Sequence, residues 1–308
     1  MSRCPITYEV LDEARYSLTG LRRLSSRLEG LEDFPYTAEE QVREAQIRVS
    51  KMSIQGVQAK LSARLSVARR VFEVVDAGGR YILKPQTQLY RELPENEDLS
   101  MRLASKAGIE VPLHGLVYSK DGSMTYFIRR FDRQGRSKVA VEDFAQLAGL
   151  SRDTKYDFSM ERLVPILQEH CTFPVIQKLR LFRRTLFNYL IGNEDAHLKN
   201  FSLIRLGDQI ELSPAYDLVN TTLALEQTQE EMALPLMGKK NRFTRDIFFD
   251  YFARERLELS DQAIHQVERQ LTSGLSEWPP IIDVSFLSTE MKERFRAVIA
   301  DRRAVLEL

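Results

Sequence analysis

Between Asn193 and Asp217 the chain arranges Asp195, Asn200 and Asp217 around a short hairpin. The stretches are Asn193-Glu194-Asp195-Ala196-His197-Leu198-Lys199-Asn200 and Ser213-Pro214-Ala215-Tyr216-Asp217. The preceding run, residues 186–192, reads as the end of a helix. Residues 201–204 and 209–212, turned at Gly207-Asp208, read as two strands. That order presents Asp195 and Asn200 on one loop and returns Asp217 beside them. A carboxylate, an amide five residues on, and a second carboxylate after a hairpin are what kinase-type phosphoryl transfer uses. The first accepts the proton of the attacking hydroxyl, and the other two hold magnesium on the phosphates of ATP. A hard divalent cation demands such oxygen donors. Loops contain Asp, Asn and Gly for conformational reasons alone, so one Asp-x4-Asn says little. The helix before it, the hairpin after it and the later Asp give the pattern its meaning.

With 308 residues the chain can bury a sizeable core and divide into two lobes. Its 44 Lys plus Arg balance 44 Asp plus Glu, so no global field favours direct nucleic-acid binding or an anionic membrane. Cys4 and Cys171 lie far apart, which argues against a disulfide framework or a zinc site and for a reducing compartment. No apolar run reaches the length of a membrane span and the first residues are not a signal peptide, so a soluble cytoplasmic protein is expected.

Residues 1–50 read as a helical N-terminal segment, polar and charged from residue 8 onward, with an N-cap at Tyr36-Thr37 before Glu39 and Glu40. Alternation over 60–67, 71–75 and 81–84 predicts strands, followed by a helix over 94–107 and two more strands over 113–118 and 123–131. From 141 onward helix dominates, with later helices over 244–256, 260–273 and 289–306 and a break at Trp278-Pro279-Pro280. The expected fold is α+β and two-lobed, protein-kinase-like. A β-rich N-lobe (51–133) is followed by a mainly helical C-lobe (134–308), and a nucleotide is expected in the cleft between lobes.

The remaining parts of a kinase site have candidates. Ser53-Ile54-Gln55-Gly56 stands where a phosphate loop would, although one glycine gives little close backbone approach. Lys84 closes an apolar strand, the position of the cation that binds the α- and β-phosphates. Glu97 on the next helix could orient it, with Glu95 and Asp98 as competitors. Phe127-Ile128-Arg129-Arg130-Phe131-Asp132 joins the lobes, where main-chain groups bind adenine and Asp132 could reach the ribose.

These motifs are collinear with a known family. Ser53-x-x-Gly56-x-Gln58-x-Lys60-Leu61, Ile82-Leu83-Lys84-Pro85, Leu93-Pro94-Glu95-Asn96-Glu97, Arg130-Phe131-Asp132-Arg133, Glu142-Asp143-Phe144, Gly192 to Ser202 and Leu212-Ser213-Pro214-x-Tyr216-Asp217 resemble the HipA family of serine/threonine kinases. These are the toxins of bacterial toxin–antitoxin modules. The resemblance covers most of residues 50–240. It implies Asp195 as catalytic base, Asn200 and Asp217 as magnesium ligands, and Lys84 as the phosphate-binding lysine. Arg129 and Phe131 would form the adenine hinge, with Asp132, Gly56, His197 and Lys199 also in the ATP site. Ser53 falls at a position that family members autophosphorylate, and a phosphate there would refold a small loop. Longer HipA proteins carry an extra β-rich subdomain before this loop. Here only about fifty residues precede it, as in the short HipT-like branch. That branch implies two partners, a separate small antitoxin protein resembling the missing subdomain and a helix-turn-helix DNA-binding protein. It also implies an aminoacyl-tRNA synthetase, the tryptophanyl enzyme among the candidates, as the phosphorylated substrate.

Two other readings use the same residues. Gly192-x-x-Asp195-x-His197-x-x-Asn200 is also similar to phosphoinositide kinases, which would make the chain a lipid or small-molecule kinase. Lys239-Lys240-Asn241-Arg242 is the one basic cluster that could then face a membrane. A catalytically dead binding module is the other reading, and the intact Asp195, Asn200 and Asp217 speak against it.

Overall fold

The computed structural model describes residues 2–49, 58–135, 137–150, 158–225 and 230–308. The chain divides into two compact units. Unit 1 comprises Met1–Leu99, Pro112–Arg136 and Val284–Leu287; unit 2 comprises Ser100–Val111, Ser137–Asp283 and Ser288–Leu308.

Unit 1 is built on a five-stranded antiparallel sheet ordered β4-β3-β5-β7-β6. Its strands are β3 (Leu61–Ser66), β4 (Val71–Val74), β5 (Tyr81–Pro85), β6 (His114–Tyr118) and β7 (Met124–Arg129). They occupy the positions that alternation predicts. Leu61 and Ala63 point into the core while Arg64 faces water, and Leu83 of β5 opposes Leu61 of β3 and Phe127 of β7. Between β5 and β6 the chain forms helix α3 (Leu93–Lys106), whose first turns, with Glu97 and Asp98, belong to this unit. The two-residue strand β8 (Arg133–Gln134) follows β7.

Residues 2–49 differ from the polar helical segment expected. They form a hairpin, β1 (Ser2–Arg3) with β2 (Val10–Leu11), then α1 (Leu18–Leu24) and α2 (Ala38–Val49). Cys4, Ile6, Leu21, Leu28 and Phe34 join one core cluster with Leu61, Phe72, Leu83 and Phe127. Each fully buried side chain of this kind contributes about 1.5–3 kcal/mol. Apolar residues at 21, 24, 28 and 31 carry helical spacing, yet only the first two lie in a helix. Phe34 then runs beside the end of β6. Its amide donates to the Tyr118 carbonyl at 2.8 Å and its carbonyl accepts from Lys120 N at 2.9 Å, covering that sheet edge.

Unit 2 is mainly helical. After β9 (Ser137–Lys138) come β10 (Val141–Asp143), α4 (Phe144–Leu147), α5 (Leu163–His170) and α6 (Pro174–Leu190). Strands β11 (Ser202–Leu206) and β12 (Gln209–Leu212) form the expected hairpin, and β10 pairs with β11 to complete a three-stranded sheet. The 17-residue α6 starts on Pro174, whose missing amide costs nothing at a helix start, and buries Leu181, Phe182, Leu186, Phe187 and Leu190. Helix α7 (Thr221–Ala224), a π-helix (Ile247–Arg256), α8 (Asp261–Val284) and α9 (Thr289–Leu306) follow.

The expected break at Pro279-Pro280 is absent, because α8 runs through both prolines. An interior proline costs about 3 kcal/mol. Burial of Leu271, Leu275, Trp278 and Ile282 on one face of α8 offsets that cost, with Trp278 edge-on to Phe187 at 5.7 Å. Gly274 on α8 lets the helix approach α3 closely; a Cβ there would stand 2.8 Å from the Lys106 carbonyl.

Candidate active site

In unit 2 the end of α6 and the hairpin position a loop of tightly bonded residues. Gly192 follows the helix at φ +68°, a left-handed conformation suited to glycine, and a Cβ there would lie 2.5 Å from Thr222 Oγ1. Asn193 is buried. Its amide N–H donates to the Asn188 carbonyl at 2.8 Å, and its side-chain carbonyl accepts from Asp195 N at 3.3 Å. His197 N donates back to the Asp195 carbonyl at 2.7 Å, opening the 3-10 turn Leu198–Asn200. The Asn200 side-chain amide donates to the same carbonyl at 3.1 Å. With Nδ2 so engaged, Oδ1 is the Asn200 atom left to accept or to ligate. The Asp195 side chain is 55% exposed, with Oδ1 at 4.0 Å from Nε2 of the buried His197. The loop therefore offers one accessible carboxylate on a rigid backbone.

Two sets of bonds tie the Asp217 segment to that loop. On one side, Thr221 N and Thr222 N both donate to the Gly192 carbonyl, at 3.0 and 3.1 Å. Thr221 Oγ1 accepts from Glu194 N at 2.6 Å, and Thr222 Oγ1 donates to Glu194 Oε1 at 2.6 Å. On the other side, the Tyr216 hydroxyl donates to the Lys199 carbonyl at 2.8 Å and meets the Ser202 hydroxyl. Burial, the largest influence on Tyr216, raises its pKa, so the hydroxyl stays protonated as this clasp requires. Beneath it, Nη2 of the buried Arg184 donates to the Ser213 carbonyl at 2.7 Å. Burial lowers that guanidinium to about 10, which still leaves it charged at neutral pH. Asp217 itself has φ +54°, uncommon for a residue with a side chain and a mark of local strain that its surroundings must hold.

The unit thus brings together Asp195, His197, Lys199, Asn200 and, through these clasps, the Asp217 segment. Among the described residues no cluster of three or more His, Cys, Asp or Glu could hold a metal alone. Asn200 and Asp217 fit a different role. Magnesium retains several waters and takes one or two protein oxygens beside its phosphates.

Unit 1 holds the other candidates. Lys84 and Glu97, 2% and 0% exposed, form a buried ion pair, and Lys84 Nζ stands 5.5 Å from the Tyr126 ring centre. Of the three candidate carboxylates on α3, it is Glu97 that reaches Lys84. Asp98 accepts instead from the Tyr8 hydroxyl at 2.7 Å and pairs with His114 Nδ1 at 2.8 Å. Burial raises Glu95 to about 7. Arg129 ends β7 with its amide donating to the Leu113 carbonyl, and the partly buried Phe131 follows. Asp132 accepts from Arg130 at 2.9 and 2.7 Å and also from Arg133. Burial opposes its ionisation, but these guanidinium groups outweigh it and hold the carboxyl below its usual range. Ser53 and Gly56 lie outside the described residues.

Sequence reasoning misses the supports. Tyr216 stands inside a quoted motif, and Thr221-Thr222 follows Asp217 closely, but a hydroxyl aimed at a main-chain carbonyl leaves no pattern in one sequence. Tyr8 falls at the start of a stretch whose composition reads as polar helix.

The family model of the HipA-like C-terminal domain matches residues 52–278. A Haemophilus influenzae protein named "Putative kinase" is 31% identical over 241 residues, 73% of this chain and 69% of that one. The "Serine/threonine-protein kinase toxin HipA" of Shewanella oneidensis is 29% identical over 206 residues, 60% of this chain, which spans about half (47%) of that protein. A chain of the solved complex of Shewanella oneidensis HipA with HipB and operator DNA superposes with a TM-score of 0.69. It has 23% identity and covers 91% of this chain and 74% of its own. That likeness concerns fold, and it agrees with the α+β, protein-kinase-like architecture expected from the sequence. With the family match extending over most of its length, this chain belongs to the HipA-like C-terminal domain family.

Proposed function

We propose that the chain is an ATP- and Mg²⁺-dependent protein kinase of serine/threonine type and the toxin of a toxin–antitoxin module. The observation that carries the reading is the pair of clasps holding the Asp217 segment against the Asp195–Asn200 loop. A protein that only sequestered a partner would have no need to fix a carboxylate, an amide and a second, strained carboxylate in that way. In this reading Asp195 accepts the proton of the acceptor hydroxyl as the oxygen attacks the γ-phosphorus and the bond from that phosphorus to the β,γ-bridging oxygen breaks, releasing ADP; such a base contributes about 10²–10⁴ in rate. Lys84, oriented by Glu97, binds phosphate oxygens as a point charge. Asn200 and Asp217 would hold Mg²⁺, which when bound supplies charge neutralisation on the phosphates. Arg129 and Phe131 are assigned to adenine, and Gly56, His197 and Lys199 to the same nucleotide. Asp132 is assigned to the ribose, although its bonds to Arg130 and Arg133 must loosen for it to act.

The proposed acceptor is a serine of an aminoacyl-tRNA synthetase in the cytoplasm, whose modification stops translation, with Ser53 as a self-phosphorylation site. The proposed partners are a helix-turn-helix DNA-binding protein and a small antitoxin. The named toxin relative and the HipA–HipB–operator complex support a module of this kind.

Peptide-resolved mass spectrometry of the purified protein after incubation with Mg²⁺ and ATP tests the chemistry, with Asp217→Gln beside wild type. Phosphate on Ser53 in wild type alone is expected. Equal labelling of both proteins would end the metal assignment, and transfer to a lipid headgroup with no labelled protein would move the chain to another class of kinase.

A further inference from the structure

The hairpin of residues 2–11 precedes the family-matched segment and takes no part in the chemistry proposed above. Its tip is unusual. Cys4 N donates to the Glu9 carbonyl at 2.9 Å and Tyr8 N to the Cys4 carbonyl at 2.7 Å, leaving Tyr8 at φ +66°. A bulky side chain in that conformation is an outlier that must be held by its surroundings. Two contacts hold it, and a third ties down the hairpin beside it. The Tyr8 hydroxyl donates to Asp98 Oδ2 at 2.7 Å, its ring lies 5.5 Å from that of Phe286, and the nearby Pro5 carbonyl accepts from Leu116 N of β6 at 3.2 Å. His114, two residues before Leu116 on β6, meets the other oxygen of the same carboxylate at 2.8 Å. Asp98 is wholly buried and adjoins Glu97 on α3.

We infer that the N-terminal hairpin is a positioning element for nucleotide binding, with Tyr8 as its positioning residue. By gripping Asp98 from one side while His114 grips it from the other, Tyr8 fixes the rotation of the α3 turn that aims Glu97 at Lys84. The inference rests on the proposed role of Lys84 in holding ATP phosphates. A helix held by hydrophobic contacts alone can rotate by small amounts at little cost, whereas a charge-assisted bond between a tyrosine and a buried carboxylate is directional. Tyr8 touches neither nucleotide nor reacting atoms in this account and acts only through Asp98 and Glu97.

The test is the equilibrium affinity for Mg²⁺–ATP of wild type, Tyr8→Phe, Glu97→Gln and the double variant, measured where all four are folded. Tyr8→Phe keeps the ring and its contact with Phe286 and removes only the hydroxyl. It is expected to weaken ATP binding about tenfold, the order of one hydrogen bond to a charged group. In the Glu97→Gln background the same change is expected to have less than about twofold effect, because the group through which Tyr8 acts is already gone. Unchanged affinity in Tyr8→Phe, or an equal loss in both backgrounds, would overturn the positioning role. If Tyr8→Phe is recovered unfolded, Asp98→Asn, which leaves the hairpin intact, carries the test with the same expectation. Failure of wild type itself to bind ATP would overturn the kinase reading and this inference together; binding that ignores Tyr8 overturns the inference alone.

Discussion

The Tyr216 hydroxyl donates to the Lys199 carbonyl at 2.8 Å, so the residue before Asp217 is bonded to the residue before Asn200. The two candidate magnesium ligands therefore share one brace, which also includes the Ser202 hydroxyl. Tyr216→Phe retains the ring and loses the brace. Groups that support metal ligands in this way are typically worth about 10–100-fold. The transfer rate is expected to fall by that factor, with a higher Mg²⁺ concentration needed for half-maximal rate. A rate that drops with no change in Mg²⁺ dependence would separate Tyr216 from metal binding.

Asp217 calls for a substitution that respects its backbone. At φ +54° asparagine is tolerated nearly as well as aspartate, whereas a β-branched residue suffers a steric penalty of about 1–2 kcal/mol. Asp217→Asn is expected to fold with an unchanged melting temperature and to lose transfer by at least about 100-fold. Asp217→Val is expected to lose stability as well. Equal melting temperatures for Asn and Val would mean that the left-handed conformation is not what holds this segment. Asp195→Asn should match Asp217→Asn in lost rate but leave ATP affinity intact, since in the proposed reaction Asp195 acts on the acceptor hydroxyl rather than on the nucleotide.

Much of this arrangement is legible in the sequence. Strand alternation sets the sheet of unit 1, and the helix-loop-hairpin order around Asp195 and Asn200 matches the elements observed, because each depends on local pattern and turn chemistry. The N-terminal segment is not legible. Leu21, Leu24, Leu28 and Leu31 have helical spacing, but what decides their structure is the edge of β6 that Phe34 covers and the core behind Phe72 and Phe127, which are distant in sequence. Trp278-Pro279-Pro280 misleads for a related reason. Proline signals a break by its local cost, and tertiary burial of one face of α8 outweighs that signal. The braces at Tyr216, Thr221 and Thr222 are side-chain-to-backbone bonds, which depend on where two loops meet rather than on composition.

The Lys84–Glu97 pair separates stability from chemistry. Both groups are buried, and removing one partner of a buried ion pair costs about 3–5 kcal/mol. Lys84→Met is therefore expected to lose both ATP binding and several degrees of melting temperature. Lys84→Met with Glu97→Leu puts two apolar side chains in place of the pair and is expected to regain most of the stability with none of the ATP binding. Recovery of both properties would exclude Lys84 from the nucleotide site.

Glu95 gives the protein a pH dependence that can be read with no substrate. Burial, the dominant influence, then the charges of Glu92 and Asp98, raise its carboxyl from an unfolded value of 4.5 to about 7 in the folded state. Its Oε2 is buried with no hydrogen-bond partner among the described residues. The folded state therefore favours the protonated acid. Below about pH 4.5 both states are protonated and burial of the neutral group carries no ionisation cost. Between 4.5 and 7 the unfolded chain releases the proton while the folded one keeps it, so stability falls as pH rises, by roughly 3 kcal/mol at most. Above about 7 both states are ionised and the loss is complete. Glu95→Gln keeps the volume and cannot ionise. It is expected to melt near wild type at pH 4.5 and above wild type at pH 8, which differential scanning calorimetry at the two pH values would resolve. A variant no more stable than wild type at pH 8 would show that solvent reaches the carboxylate and that burial of this turn of α3 is not what sets its charge.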